Sequence, residues 1–156
     1  MRLSLVVPCY NEVEVISRFH QALSHELAGT GRPYEIVYVD DGSSDGTLDA
    51  LVGLAASDES VRYLSFSRNF GKEAAMLAGL RYATGDAVVI MDADLQHPPE
   101  LIGRMLEEYE RGFDQVIARR NVHRLLRSGA CWSTGSTGCC RSTASRCGWR
   151  STSACC

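Results

Sequence analysis

Apolar positions along the first 118 residues alternate between two periods. Residues 3–7 form a short apolar run closed by Pro8, the pattern of a buried strand. Residues 12–27 then carry Val13, Ile16, Phe19, Leu23 and Leu27 at helical spacing, and Gly29-Thr30-Gly31-Arg32-Pro33 breaks the pattern. The same exchange recurs. Residues 34–39, 61–66 and 87–91 read as strands, and residues 47–56 and 71–83 as helices. Pro98-Pro99 opens a helix to about residue 110, since proline is tolerated in a helix's first turn, and residues 114–118 read as a fifth strand. This alternation predicts an α/β domain: an open, mostly parallel sheet with helices on both faces.

Ligands of such sheets sit beyond the carboxyl ends of the strands. After the first strand comes Pro8-Cys9-Tyr10-Asn11-Glu12, with neither a G-x-G-x-x-G nor a G-x-x-x-x-G-K-[ST] pattern. Tyr10 suits stacking on a base, and Glu12 suits a base N–H or a helix cap; a plain turn leading into a helix is the competing reading. After the second strand, Asp40-Asp41-Gly42-Ser43-Ser44-Asp45-Gly46-Thr47 holds more carboxylates than capping needs. Asp40 and Asp41 point in opposite directions if strand geometry persists, and a carboxylate that falls inward needs a partner. The third strand leads into Ser67-Arg68-Asn69-Phe70-Gly71-Lys72-Glu73, whose Arg68 and Lys72 suit a diphosphate. After the fourth strand, Asp92, Asp94 and Gln96 share one face of an extended segment. Paired carboxylates repel unless a cation lies between them, and hard oxygen ligands select Mg²⁺ or Mn²⁺. His97 is a further candidate ligand, though a lone loop histidine is more often simply exposed. Arg119 and Arg120 follow the fifth strand and face either a phosphate or solvent.

A base site, an acidic pair and several cations therefore converge on one sheet edge, as a metal-bound nucleoside diphosphate requires. In their order and spacing, these four segments resemble the GT-A (Rossmann-like) family 2 inverting glycosyltransferases, and within them the polyprenyl-phosphate glycosyltransferases, both the dolichol-phosphate mannose synthase-like and the bactoprenol glucosyltransferase-like branches. The likeness covers about residues 3–120. It implies that Pro8, Tyr10, Asn11, Glu12 and Asp40 or Asp41 hold the nucleoside, and that Asp92, Asp94 and Gln96 hold a catalytic Mg²⁺ or Mn²⁺. Lys72 and the catalytic Arg119 are then expected near phosphates of donor or acceptor. The implied reaction moves a sugar from a nucleotide-sugar, UDP-glucose in preference to GDP-mannose, to a polyprenyl phosphate with inversion. The full-length family works at the cytoplasmic face of the membrane. Self-association is compatible with it. A signalling receiver module shares the parallel sheet and acidic Mg²⁺ site, but would need an aspartate where this chain has Phe66-Ser67-Arg68. A nucleotide-sugar-binding pseudoenzyme is the stronger rival, because the family's acceptor segment and membrane spans do not follow residue 120.

Composition sharpens that break. All 19 acidic residues lie in residues 1–120 with 11 of the 16 basic ones, while residues 121–156 hold five arginines and no acid. Six of the seven cysteines and both tryptophans are in the tail, which has no Leu, Ile, Val, Phe or Met after Leu126. Such a segment cannot bury enough apolar surface to offset its ordering entropy. The net charge of -3 argues against nucleic acid as a partner. No apolar run is long enough for a membrane span, and residues 3–8 are too short for a signal peptide. The tail's cysteines lack paired zinc spacings. Residues 1–120 are thus expected to be the donor half of the domain, incomplete at the C-terminus, and residues 121–156 a disordered or frame-shifted tail. Cysteine codons end in T or C, and cysteine and tryptophan codons begin with TG. Read one base earlier, the Cys131–Trp132, Cys139–Cys140 and Cys155–Cys156 junctions each become leucine. Sequencing the coding DNA should therefore reveal a shifted frame that reads as an apolar, aromatic helix containing these leucines; a continuous stop-free tail unlike any helix would contradict this.

Overall fold

The computed structural model describes residues 1–94 and 98–118. Eight elements alternate: β1 (Leu3–Cys9), α1 (Val13–Gly29), β2 (Tyr34–Asp40), α2 (Thr47–Ser57), β3 (Val61–Ser65), α3 (Lys72–Tyr82), β4 (Ala87–Ile90) and α4 (Leu101–Glu110). The four strands form one sheet in the order β3-β2-β1-β4, and every pair is parallel. Pro8 lies inside β1 opposite Val39, beyond Val6, the last residue of β1 paired with β4. Its missing N–H therefore removes no ladder bond on that side.

Alternation along the strands divides the interior. Leu3, Leu5 and Val7 of β1 and Ile36 and Tyr38 of β2 pack with Ile16, Phe19, Leu23 and Leu27 of α1 and Leu51 of α2. Ile102 and Leu106 belong to the same cluster. The opposite face is thinner: Val37, Val39 and Ala75 are buried there beneath α3. Gly79 permits this close approach, because a Cβ at that position would meet the Val6 side chain. Helices thus cover both faces, as the alternation predicts. β4 is an edge of the described sheet, with Val88 and Ile90 exposed.

Residues 114–118 do not form the predicted strand. The only strong signal there is the β-branched pair Val116-Ile117, and a segment this short becomes a strand only against a partner. The last helix begins at Leu101; Pro98 and Pro99 form the turn that feeds it, their carbonyls accepting the Leu101 and Ile102 N–H groups. One compact unit spans Met1–Leu106, and a second begins at Glu107. Gln96, His97, Arg119, Arg120 and the tail lie outside the described residues. Among the described residues no helix is long and apolar enough to cross a membrane.

The amino ends of the strands are joined by a buried carboxylate that periodicity does not reveal. Glu35 is 1% exposed. Its Oε1 accepts the Ser4 hydroxyl at 2.6 Å, the Thr84 N–H at 2.6 Å and the Thr84 hydroxyl at 2.8 Å. Its Oε2 accepts from the Arg2 guanidinium at 3.3 Å, with Arg62 at 3.6 Å. Burial alone would raise this carboxyl, but the Ser4 and Thr84 hydrogen bonds and Arg2 hold it below its usual value. A pKa depressed by folding contributes stability that is present above the unfolded value, about 4.3, and is lost as pH falls through the folded value. Glu35→Ala should cost about 2–3 kcal/mol at neutral pH in urea denaturation, by leaving buried donors unpaired. The gap to wild type should narrow at about pH 3; a gap independent of pH would contradict the assignment.

Candidate functional site

The loops beyond the carboxyl ends of the strands are tied to one another by side chains that accept backbone N–H groups. Asp45 is the junction of two helices. Its Oδ1 accepts the Thr47 N–H at 3.0 Å and the Thr47 hydroxyl at 2.6 Å, and its Oδ2 accepts the Val13 N–H at 3.1 Å at the start of α1. Desolvation raises the Asp45 carboxyl, but the hydrogen bonds from Thr47 and Val13 outweigh it and hold it below its usual range. Thr47 completes the joint by accepting the Glu12 N–H at 2.8 Å. Asn11 sits at φ 54°, a left-handed conformation that asparagine tolerates. There its Oδ1 accepts the Ser44 N–H, and its own N–H donates to the Ser43 hydroxyl, both at 2.9 Å.

Asp40 and Asp41 do diverge. Asp40 accepts the Ser43 N–H at 3.2 Å and the Ser65 hydroxyl at 3.1 Å, linking its own loop to β3. Asp41 turns to the α3 side, where Oδ1 accepts the Phe70 N–H at 2.7 Å and Oδ2 the Gly71 N–H at 2.9 Å. Both carboxylates are buried. The two loops meet closely at Gly42, whose φ of 70° and contact with the Arg68 backbone leave no room for a Cβ. Arg68 stacks over the Phe70 ring at 4.8 Å, and Phe66 meets Phe70 edge-on at 5.5 Å.

These latches frame an open cleft of about 290 Å³. Pro8, Tyr10, Glu12, Asp41, Lys72, Asp92 and Asp94 line it, so seven of the residues expected from sequence share one cavity. Asn11 and Asp40 do not line it; they hold the loops around it. Cys9, Asn69, Gly71, Ala75 and Ala93 complete the wall. The small residues among them carry no chemical signal in sequence, because their contribution is the space they leave. The Cys9 thiol is pushed up by burial and then by Glu12, Asp40 and Asp92, so it is a neutral wall and not a nucleophile.

The cleft is electrostatically lopsided. Glu12 is raised above its ordinary value by burial and then by Asp94, Asp45 and Asp92. Against this, the Lys72 ammonium sits 2.7 Å from Asp92 Oδ2. Among the described residues no group of three His, Cys, Asp or Glu side chains is gathered to hold a metal ion. The donor set nonetheless fits a hard divalent cation in chemistry, since Asp92 and Asp94 bring carboxylate oxygens to the same wall of the cleft.

Comparison with known proteins agrees with this fold. A model of one protein family, Glycosyl transferase family 2, matches residues 4–134, which reaches past the break in composition near residue 120. A putative glycosyltransferase, CsbB, of Bacillus subtilis (strain 168) is 49% identical over 119 residues, 76% of this chain and 36% of that protein. The bactoprenol glucosyl transferase of Shigella phage SfX is 46% identical over 140 residues, 85% of this chain and 45% of that protein. This chain thus spans less than half the length of these relatives. Among solved structures, the mannosyltransferase PcManGT from Pyrobaculum calidifontis, in complex with GDP-Man and Mn²⁺, aligns with a TM-score of 0.54 at 33% identity, over 60% of this chain and 27% of that one. S. aureus TarS 1-349 in complex with UDP aligns with a TM-score of 0.53 at 25% identity, over 70% of this chain and 33% of that one. By its match across most of its length, the chain belongs to glycosyl transferase family 2.

Proposed function

We propose that this chain is the donor-binding half of an inverting glycosyltransferase that moves a sugar from a nucleotide-sugar, with Mg²⁺ or Mn²⁺, to a polyprenyl phosphate. The observation that carries this reading is the cleft itself. A nucleoside-sized pocket at the carboxyl ends of parallel strands gathers Asp92, Asp94 and Glu12 with one lysine. The names of the bactoprenol glucosyl transferases among the relatives support a glucosyl donor and a bactoprenol-type acceptor, and UDP-glucose is the donor the resemblance implies. The GDP-Man complex of the mannosyltransferase keeps GDP-mannose as the second donor.

In this reading Tyr10, at the cleft mouth, offers its ring to the base, and Pro8 and Glu12 flank it. Asp41 borders the same space, with lone pairs left beyond its two backbone bonds. Asp92 and Asp94, with Gln96, would hold the divalent cation, which supplies charge neutralisation for the departing diphosphate. Lys72 adds positive charge beside the same oxygens. The lipid phosphate oxygen attacks the anomeric carbon as the bond to the nucleoside diphosphate breaks, and the configuration inverts. That nucleophile is already an anion, so the site has little need of a strong general base. Arg119 is assigned to the phosphates of donor or acceptor on the resemblance alone.

A second reading is a nucleotide-sugar-binding protein without transferase activity. Calorimetric titration with Mn²⁺ present should show UDP-glucose binding more tightly than GDP-mannose. Asp94→Asn should weaken that metal-dependent binding by about tenfold or more. Unchanged affinity in the variant would refute the metal assignment. Sugar transfer to polyprenyl phosphate by the chain supports the enzyme; donor binding without transfer supports the binding protein.

A further inference from the structure

Lys72 is the first residue of α3. A cation there opposes the helix dipole, whose positive end lies at the N-terminus, so helix stability does not explain the position. What explains it is the cleft. The residue before it, Gly71, has φ 97° and gives its N–H to Asp41, as Phe70 does. The segment leading into α3 is thereby held to the end of β2, and Lys72 reaches across to Asp92 at 2.7 Å. This pair is not a buried structural bridge: the Lys72 side chain is 57% exposed and that of Asp92 30%. An exposed pair of this kind is worth little by itself and exchanges partners readily.

We propose that Lys72 is an exchangeable counter-ion: its ammonium holds Asp92 while no divalent cation is bound, is displaced when a cation takes that carboxylate, and is thereby freed for the donor's diphosphate. The proposal rests on the metal-dependent donor site put forward above. Two linked consequences follow from charge alone. Lys72 lowers the affinity of the empty cleft for a divalent cation, because the cation must displace one positive charge and bind beside it. Once a diphosphate is present the same ammonium is satisfied elsewhere, so nucleotide and metal favour one another, and that coupling is reciprocal. The Asp92–Lys72 contact thus converts a site that would hold metal alone into one that fills with metal and donor together.

The test is Mn²⁺ binding by the full chain, followed by paramagnetic resonance of the free ion, with and without UDP and with no acceptor. The exposed Lys72 side chain makes Lys72→Met compatible with folding, and Lys72→Arg keeps the charge. Without UDP, Lys72→Met should bind Mn²⁺ roughly three- to tenfold more tightly than wild type, with Lys72→Arg close to wild type. UDP should then tighten Mn²⁺ binding by a larger factor in wild type than in Lys72→Met. Equal or weaker Mn²⁺ binding by Lys72→Met, or equal enhancement by UDP in both proteins, would overturn the proposal. Failure of all three proteins to bind Mn²⁺ would instead defeat the metal reading of the donor site, and the counter-ion role with it.

Discussion

The cleft depends on one arrangement: the carboxylate of Asp41, at the end of β2, accepting two successive backbone N–H groups from the loop before α3. Loops that follow parallel strands have no ladder of their own. Their backbone donors must find partners, and a buried carboxylate needs donors just as much. Each requirement meets the other here. Asp45 repeats the device on the neighbouring pair of loops, where a single side chain holds the starts of α1 and α2. Hydrogen bonds to an ionised acceptor are about twice as strong as neutral ones, which suits them to fixing loops that carry little apolar surface.

The two ends of the sheet use acidic residues in contrasting ways. At the amino ends, Glu35 is fully matched by hydroxyls, an N–H and two guanidinium groups, and stabilises the fold. At the carboxyl ends, Asp92, Asp94 and Glu12 line an open cleft with Lys72 paired to Asp92, and Glu12 is raised by burial and then by Asp94, Asp45 and Asp92. This contrast between a fully matched carboxylate and carboxylates lining an open cleft is why the ligand site is proposed at the carboxyl ends.

Much of this was legible in the residues. The period-two rule placed Asp40 and Asp41 on opposite faces, and they are so placed, with different partners. The alternation of periods located all four helices and four of the five strands. What the residues did not show has a physical reason in each case. Residues 114–118 carry a strand-like pair but no pairing partner that sequence could guarantee. His20 lies on the buried face of α1 because Tyr38 and Asp58 meet its two ring nitrogens, at 3.2 and 3.4 Å, and neither is near in sequence. Glu35 carries no signal of its burial, since Ser4 and Thr84 approach it only in the folded sheet. Asp45 signalled a cap for the helix that follows it, whereas its bond to Val13 depends on β1 and β2 being neighbours.

The central claim is that carboxylates lock these loops into a preformed cleft. Amide hydrogen exchange of the free protein, resolved residue by residue, measures this directly. The Phe70 and Gly71 amides should exchange as slowly as those of β2, although both belong to a surface loop. Exchange of these two amides at the rate of an unprotected loop, with β2 itself protected, would show that the Asp41 latch does not hold and that the cleft is not preformed.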